Sequence, residues 1–155
     1  MTEEALRMAL AESIAQTLDT MFFTACRQAT AAAGESGERL AARVAFAGKP
    51  SGRLTVRIEP GAARAIAAGF LGEEEGEVTA RQTGDVLCEL ANMICGFVLS
   101  RVESEDEFRL GEPRLEEPGA DACAERAAGP GAAVYAVETG FGVLTAELEM
   151  EGCSA

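Results

Sequence analysis

The sequence predicts an α+β domain: a largely antiparallel sheet built from hairpins, with two long helices and one short helix packed on it and two pseudo-duplicated halves. Three observations lead there. Apolar residues recur at spacings of three and four over two long stretches, one near the start of the chain and one in its middle. Alternating stretches come in pairs around Gly/Pro turns, as antiparallel hairpins do, rather than singly between helices. The order helix, strand, strand, helix is followed by helix, strand, strand, strand, although no residue-level repeat is visible. The helices are expected to cover one face of the sheet.

From Glu3 to Thr30, Leu6, Leu10, Ile14, Leu18, Met21, Phe22 and Ala25 form an apolar stripe, so this stretch reads as one helix, with Gly34 placed to cap it. Arg39 to Ala47 alternates through Leu40, Ala42, Val44 and Phe46, and Arg53 to Glu59 through Leu54, Val56 and Ile58. With turn chemistry at Gly48-Lys-Pro-Ser-Gly52 between them, they read as a hairpin with one wet face. Pro60 suits the first turn of a short Ala-rich helix ending near Gly72. An acidic linker, Glu73 to Glu77, leads to Thr79-Ala-Arg-Gln82, whose spacing is that of a capping box opening the central helix, which runs to about Glu103. Phe108 to Leu115 reads as an edge or bulged strand because Gly111 and Pro113 interrupt it. Glu116 to Gly131 is rich in Pro, Gly, Ala and acid and reads as a loop, with room for a helical turn over Cys123 to Ala128. Ala133 to Glu138 and Gly142 to Met150 form a second hairpin around Thr139-Gly-Phe-Gly.

Length and composition bound what such a domain can do. A chain of 155 residues, 48% of them hydrophobic, fits a single domain over 1–151 with a C-terminal tail at 152–155. No apolar run approaches the roughly 18 residues of a membrane span, and the start lacks the basic residues of a signal peptide, so a cytoplasmic protein without a membrane partner is expected. Net charge is −13 with 13 scattered Lys and Arg, which argues against nucleic acid. The chain contains no histidine, which removes Ser-His-Asp and Cys-His catalysis. Its five cysteines, Cys26, Cys88, Cys95, Cys123 and Cys153, are scattered, fitting small core side chains better than a disulfide framework or a zinc site.

Chemistry concentrates in the central helix. At about 100° per residue, Asp85, Glu89, Asn92, Gly96 and Glu103 share one side, and Leu87, Leu90, Ala91, Ile94, Phe97, Val98 and Val102 share the other. Gly within a helix costs roughly 1 kcal/mol against Ala, and Asn part of that. Both unfavourable choices lie on the side away from the core, which reads as a site. Exposed Met93 and Leu99 supply apolar area beside it, as partner anchors or as partial core or dimer contacts. Asp85 either orients the polar pair or sits in solvent, and Gly96 marks either a bare approach surface or close helix packing.

Within Asp85-Val-Leu-Cys-Glu89-Leu-Ala-Asn92-Met-Ile-Cys-Gly96 the chain resembles the CheC/CheX/FliY family of chemotaxis response-regulator phosphatases. The family pattern is Asp or Ser, three residues, Glu, two residues, Asn, then an apolar stretch to Gly, and Asp85, Glu89, Asn92 and Gly96 fill it. CheC-like members carry the pattern on both long helices. The first helix here has Ser13, but Thr17 and Thr20 stand where Glu and Asn are required, so the resemblance is to the single-site, CheX-like type. It implies hydrolysis of the aspartyl phosphate of a CheY-like receiver domain, with Asn92 orienting the attacking water and Glu89 pairing with the receiver's lysine. Asp85, Met93 and Gly96 would contact the partner. It implies no cofactor of the chain's own, a Mg2+ ion on the receiver, and a homodimer joined through the sheets. The alternative is a non-catalytic module that keeps this surface to sequester a receiver or a partner phosphatase.

Overall fold

The structure, a computed structural model, describes residues 2–22, 24–28, 39–102, 107–116 and 132–151. Helix α1 (Glu3–Met21) leads to strand β1 (Cys26–Gln28), then β2 (Leu40–Ala47), β3 (Ser51–Ile58) and helix α2 (Pro60–Leu71). A 3-10 turn at Glu75–Glu77 precedes helix α3 (Ala80–Ser100), followed by β4 (Arg109–Leu110), β5 (Arg114–Leu115), β6 (Ala132–Thr139) and β7 (Val143–Glu151). All pairings are antiparallel, in the order β1-β6-β7-β3-β2-β4, with β5 also on β2.

This order carries the duplication that the residues conceal. Exchanging β1 with β4/β5, β2 with β6 and β3 with β7 returns the same sheet, so a pseudo-two-fold axis passes between β3 and β7. The long helices follow it: α1 packs on β6, α3 packs on β2, and the two touch each other. Between sheet and helices lies one core, in which Leu6, Leu10, Ile14 and Leu18 of α1 and Leu90 and Ile94 of α3 meet Val44, Leu54, Val56, Ile58, Leu144 and Leu148. Burying each such side chain contributes about 1.5–3 kcal/mol, which is what holds the helices to this face.

Several expectations change. The first helix stops at Met21, not Thr30: past the Phe22 cap, Thr24 N–H turns back to bond the Leu18 carbonyl (2.8 Å) across the helix end. Cys26–Gln28 then pairs with Val137–Thr139 as an edge strand, so three residues assigned to the helix belong to the sheet. The face of the β2–β3 hairpin turned away from the helices is not simply wet. Arg57 is 7% and Glu147 4% exposed; they bond each other (3.1 Å), and Glu116 reaches both Arg57 (3.5 Å) and Arg43. The 73–77 linker contains the 3-10 turn, and α3 ends at Ser100. By length and composition α3 is apolar enough to cross a membrane, unlike the sequence expectation, although 56% of that window is buried within this fold. Its apolar side is thereby spent on the sheet. The Gly34 cap, Glu103, all but the first residue of the 116–131 loop, and the 152–155 tail lie outside the described residues.

The broken strand near Gly111 and Pro113 forms as expected at the sheet edge: β4 and β5 are two short pieces on β2, with Gly111 N–H bonding the Ala45 carbonyl between them. At the other turn, Thr139 Oγ1 accepts from Phe141 and Gly142 N–H (both 3.1 Å) and closes the β6–β7 hairpin.

Candidate functional site on helix α3

Helix α3 starts where the sequence places it. Thr79 Oγ1 accepts from Gln82 N–H (3.0 Å) and Gln82 Oε1 accepts from Thr79 N–H (2.9 Å), the reciprocal bonds of a capping box. From there Val86, Leu87, Leu90, Ala91, Ile94, Cys95, Val98 and Leu99 turn inward. That fixes the rotation of the helix, and with it a strip on the other side. Asp85 and Glu89 are exposed; Asn92, Met93 and Gly96 are half-buried. Among the described residues, the side chains of Asp85, Glu89 and Asn92 make no hydrogen bond or ion pair within the fold. A carboxylate and a carboxamide therefore stand one turn apart with their bonding capacity unspent.

Gly96 continues the strip. Among the described residues, a Cβ built there meets nothing within 4 Å, so this glycine is not a helix-packing contact with them. It opens onto a shallow groove of about 400 Å³ between the end of α3 and β4, floored by Leu99, Val102, Phe108 and Leu110. Gly84 is the contrasting case, where a Cβ would lie 2.6 Å from Leu115 Cδ1 and that leucine would have to move aside. Leu99, expected to be exposed, is 5% exposed and belongs to the core, because it follows Cys95 by one turn on the inward side. Phe97 and Val102, expected in the core, are only half-buried.

The cysteines nearby are not activated. Burial pushes the Cys95 thiol up to about 12, and burial with the charge of Asp85 raises Cys88. Among the described residues, no three His, Cys, Asp or Glu side chains converge as a metal cluster would.

The structure also revises the comparison with α1. Ser13 and Thr17 are fully buried and bond the carbonyls of Ala9 and Ser13 (both 2.7 Å), so they are not on an outward strip at all. The buried rhythm sets Leu10 against Leu87, Ile14 against Ala91 and Leu18 against Cys95. In that register Met8, Glu12, Ala15 and Asp19 correspond to Asp85, Glu89, Asn92 and Gly96, and all four are exposed. One residue that sequence reasoning passed over lies against Glu12 of this strip. Arg101, the C-cap of α3, bonds Gln16 Oε1 (2.6 Å), Ser13 Oγ (3.3 Å), Glu12 Oε2 (3.4 Å) and the Phe97 carbonyl (3.0 Å). A basic residue at a helix C-terminus was the available signal.

The sequence model of the family described as chemotaxis phosphatase CheX matches residues 40–129, which include the whole Asp85–Gly96 strip. The chain belongs to the CheX family. The solved CheX of Vibrio vulnificus superimposes on it with a TM-score of 0.71 at 16% identity, over 94% of this chain and 96% of that one. The CheX in the CheX–CheY–BeF3–Mg complex of Borrelia burgdorferi does so at 0.66 and 13% identity, over 92% and 96%. FliY of Thermotoga maritima reaches 0.65 at 15% identity, over 97% and 88%. At these identities the likeness establishes a shared CheX fold. No curated protein matches in sequence.

Proposed function

We propose that this CheX-family chain hydrolyses the aspartyl phosphate of a CheY-like receiver domain, with Asn92 as the residue that positions the attacking water. The observation that carries the reading is the unspent carboxamide of Asn92, one turn from the unspent carboxylate of Glu89 on a helix locked by its opposite face. Membership of a family described as a chemotaxis phosphatase, and the complex of the Borrelia CheX with CheY, support the receiver as substrate.

The reaction asks for positioning and charge stabilisation rather than a strong base. Water attacks phosphorus in line, the bond from phosphorus to the receiver's aspartyl oxygen breaks, and carboxylate and inorganic phosphate are the products. The carbonyl oxygen of Asn92 accepts a hydrogen bond from the water, and its NH2 donates to a phosphoryl oxygen. A carboxamide does both without adding negative charge beside an anion. Glu89 pairs with a lysine of the receiver and fixes the approach; Asp85 and Met93 border the contact, and the bare backbone at Gly96 admits it closely. The Mg2+ ion belongs to the receiver and neutralises phosphoryl charge there. The same reading takes the chain to be a cytoplasmic homodimer, which sedimentation equilibrium tests.

The experiment is phosphate release from a phosphorylated receiver. Wild-type protein accelerates it, and Asn92→Ala lowers the acceleration on the order of 10²-fold or more, the usual loss when one positioned polar group is removed. An unchanged rate in Asn92→Ala removes the assignment. Binding without any turnover in the wild type replaces the phosphatase with a sequestering module.

A further inference from the structure

The pseudo-two-fold fold gives the molecule two outward strips, and their glutamates stand in different surroundings. On α3, Glu89 stands without a cation among the described residues. On α1, its counterpart Glu12 faces the guanidinium of Arg101, which also bonds Gln16 and Ser13 on the same helix and the Phe97 carbonyl on its own. A single exposed ion pair contributes little. Here, however, one planar fork is held by four acceptors on two helices, which fixes its position as a lone pair does not.

We propose that Arg101 closes the α1 strip, occupying beside Glu12 the place that a partner's cation takes beside Glu89. The closure has two physical parts. The fixed positive charge cancels the attraction of Glu12 for an incoming lysine, and the guanidinium lies against exposed Gln16, at the counterpart of Met93, where a docking partner would approach. Three further differences lie along the strip: Met8 stands at the counterpart of Asp85, Ala15 at that of Asn92, without the carboxamide, and Asp19 at that of the bare Gly96. The inference rests on the reading of Glu89 and Asn92 given above, and it restricts the chain to one receiver-docking face.

The test builds the missing amide and removes the closure separately. In an Asn92→Ala background, Ala15→Asn with Asp19→Gly and Arg101 retained stays at the background rate of receiver dephosphorylation. Adding Arg101→Gln raises that rate by about tenfold or more, a change in transition-state stabilisation read directly from kcat/KM. Recovery with Arg101 still present overturns the proposal, and so does no recovery in the full variant with Arg101→Gln when it keeps its circular dichroism and melting temperature. Should Arg101→Gln unfold the chain, the otherwise wild-type protein decides: Glu12→Gln leaves receiver affinity unchanged while Glu89→Gln weakens it, and a Glu12→Gln loss matching that of Glu89→Gln overturns the closure. Failure of Glu89→Gln to weaken binding, by contrast, strikes the underlying function and not Arg101.

Discussion

Gly96 separates a packing role from a docking role at the scale of one residue. No atom of the described residues would meet a Cβ there, and its helical backbone suits any residue, so Gly96→Leu is expected to leave stability unchanged or raise it by up to about 1 kcal/mol. Receiver dephosphorylation is expected to fall, because a side chain now covers the approach. Thermal melting and phosphate release check the two halves, and a lowered melting point with full activity would return the glycine to a structural role. Cys95 makes a pH prediction. Its folded thiol is raised to about 12 by burial, whereas the ordinary value is 9.0, so above pH 9 the unfolded chain has released a proton that the native chain still holds. Stability is therefore flat in this group below about pH 9 and falls from there towards 12; Cys95→Ala is expected to flatten that alkaline limb in urea titrations. At this scale the sequence was legible where a residue acts against its local preference. Asn92 and Gly96 stood out because helices disfavour them, whereas Arg101 did not, since an arginine at a helix end is ordinary and three of its four partners are set by how α1 crosses α3.

Elements were legible where their own chemistry closes them. The capping box at Thr79 and Gln82 forms as spaced, and Thr79→Ala is expected to cost about 1 kcal/mol, seen as a lower urea midpoint at unchanged slope. The Gly72 cap of α2, in the left-handed region at φ 69°, and the interrupted β4–β5 edge follow the same logic. The end of α1 did not. Its apolar spacing continues to Ala25, but the bond from Thr24 N–H to Leu18 stops the helix and β6 offers Cys26–Gln28 a ladder partner distant in sequence. A long-range pairing outweighed a local period, which a one-dimensional reading has no means to weigh. The outer sheet face is the second such case. Alternation marks Thr55, Arg57 and Glu147 as solvent-facing, yet Arg57 and Glu147 are buried together. Arg57→Ala leaves Glu147 without that partner and is expected to cost about 3–5 kcal/mol, whereas an Arg57→Met, Glu147→Leu double variant should be close to neutral. Equal losses in the single and the double variant would show that the pair matters for shape rather than for charge.

For the molecule as a whole, topology supplies a symmetry that residues have lost. Two helices, each laid over a three-part sheet half, produce two outward strips; the rhythm of burial, not residue identity, puts Glu12 opposite Glu89. The sequence by itself determined the fold class, the capped central helix, the two hairpins and the strip of Asp85, Glu89, Asn92 and Gly96, because hydrophobic period, turn residues and caps act over a few positions. Tertiary structure alone decided where α1 ends, which way Ser13 and Thr17 face, and that Arg101 is held against Glu12. These depend on which distant strand or helix offers the better partner, and that choice is made only when the chain has packed.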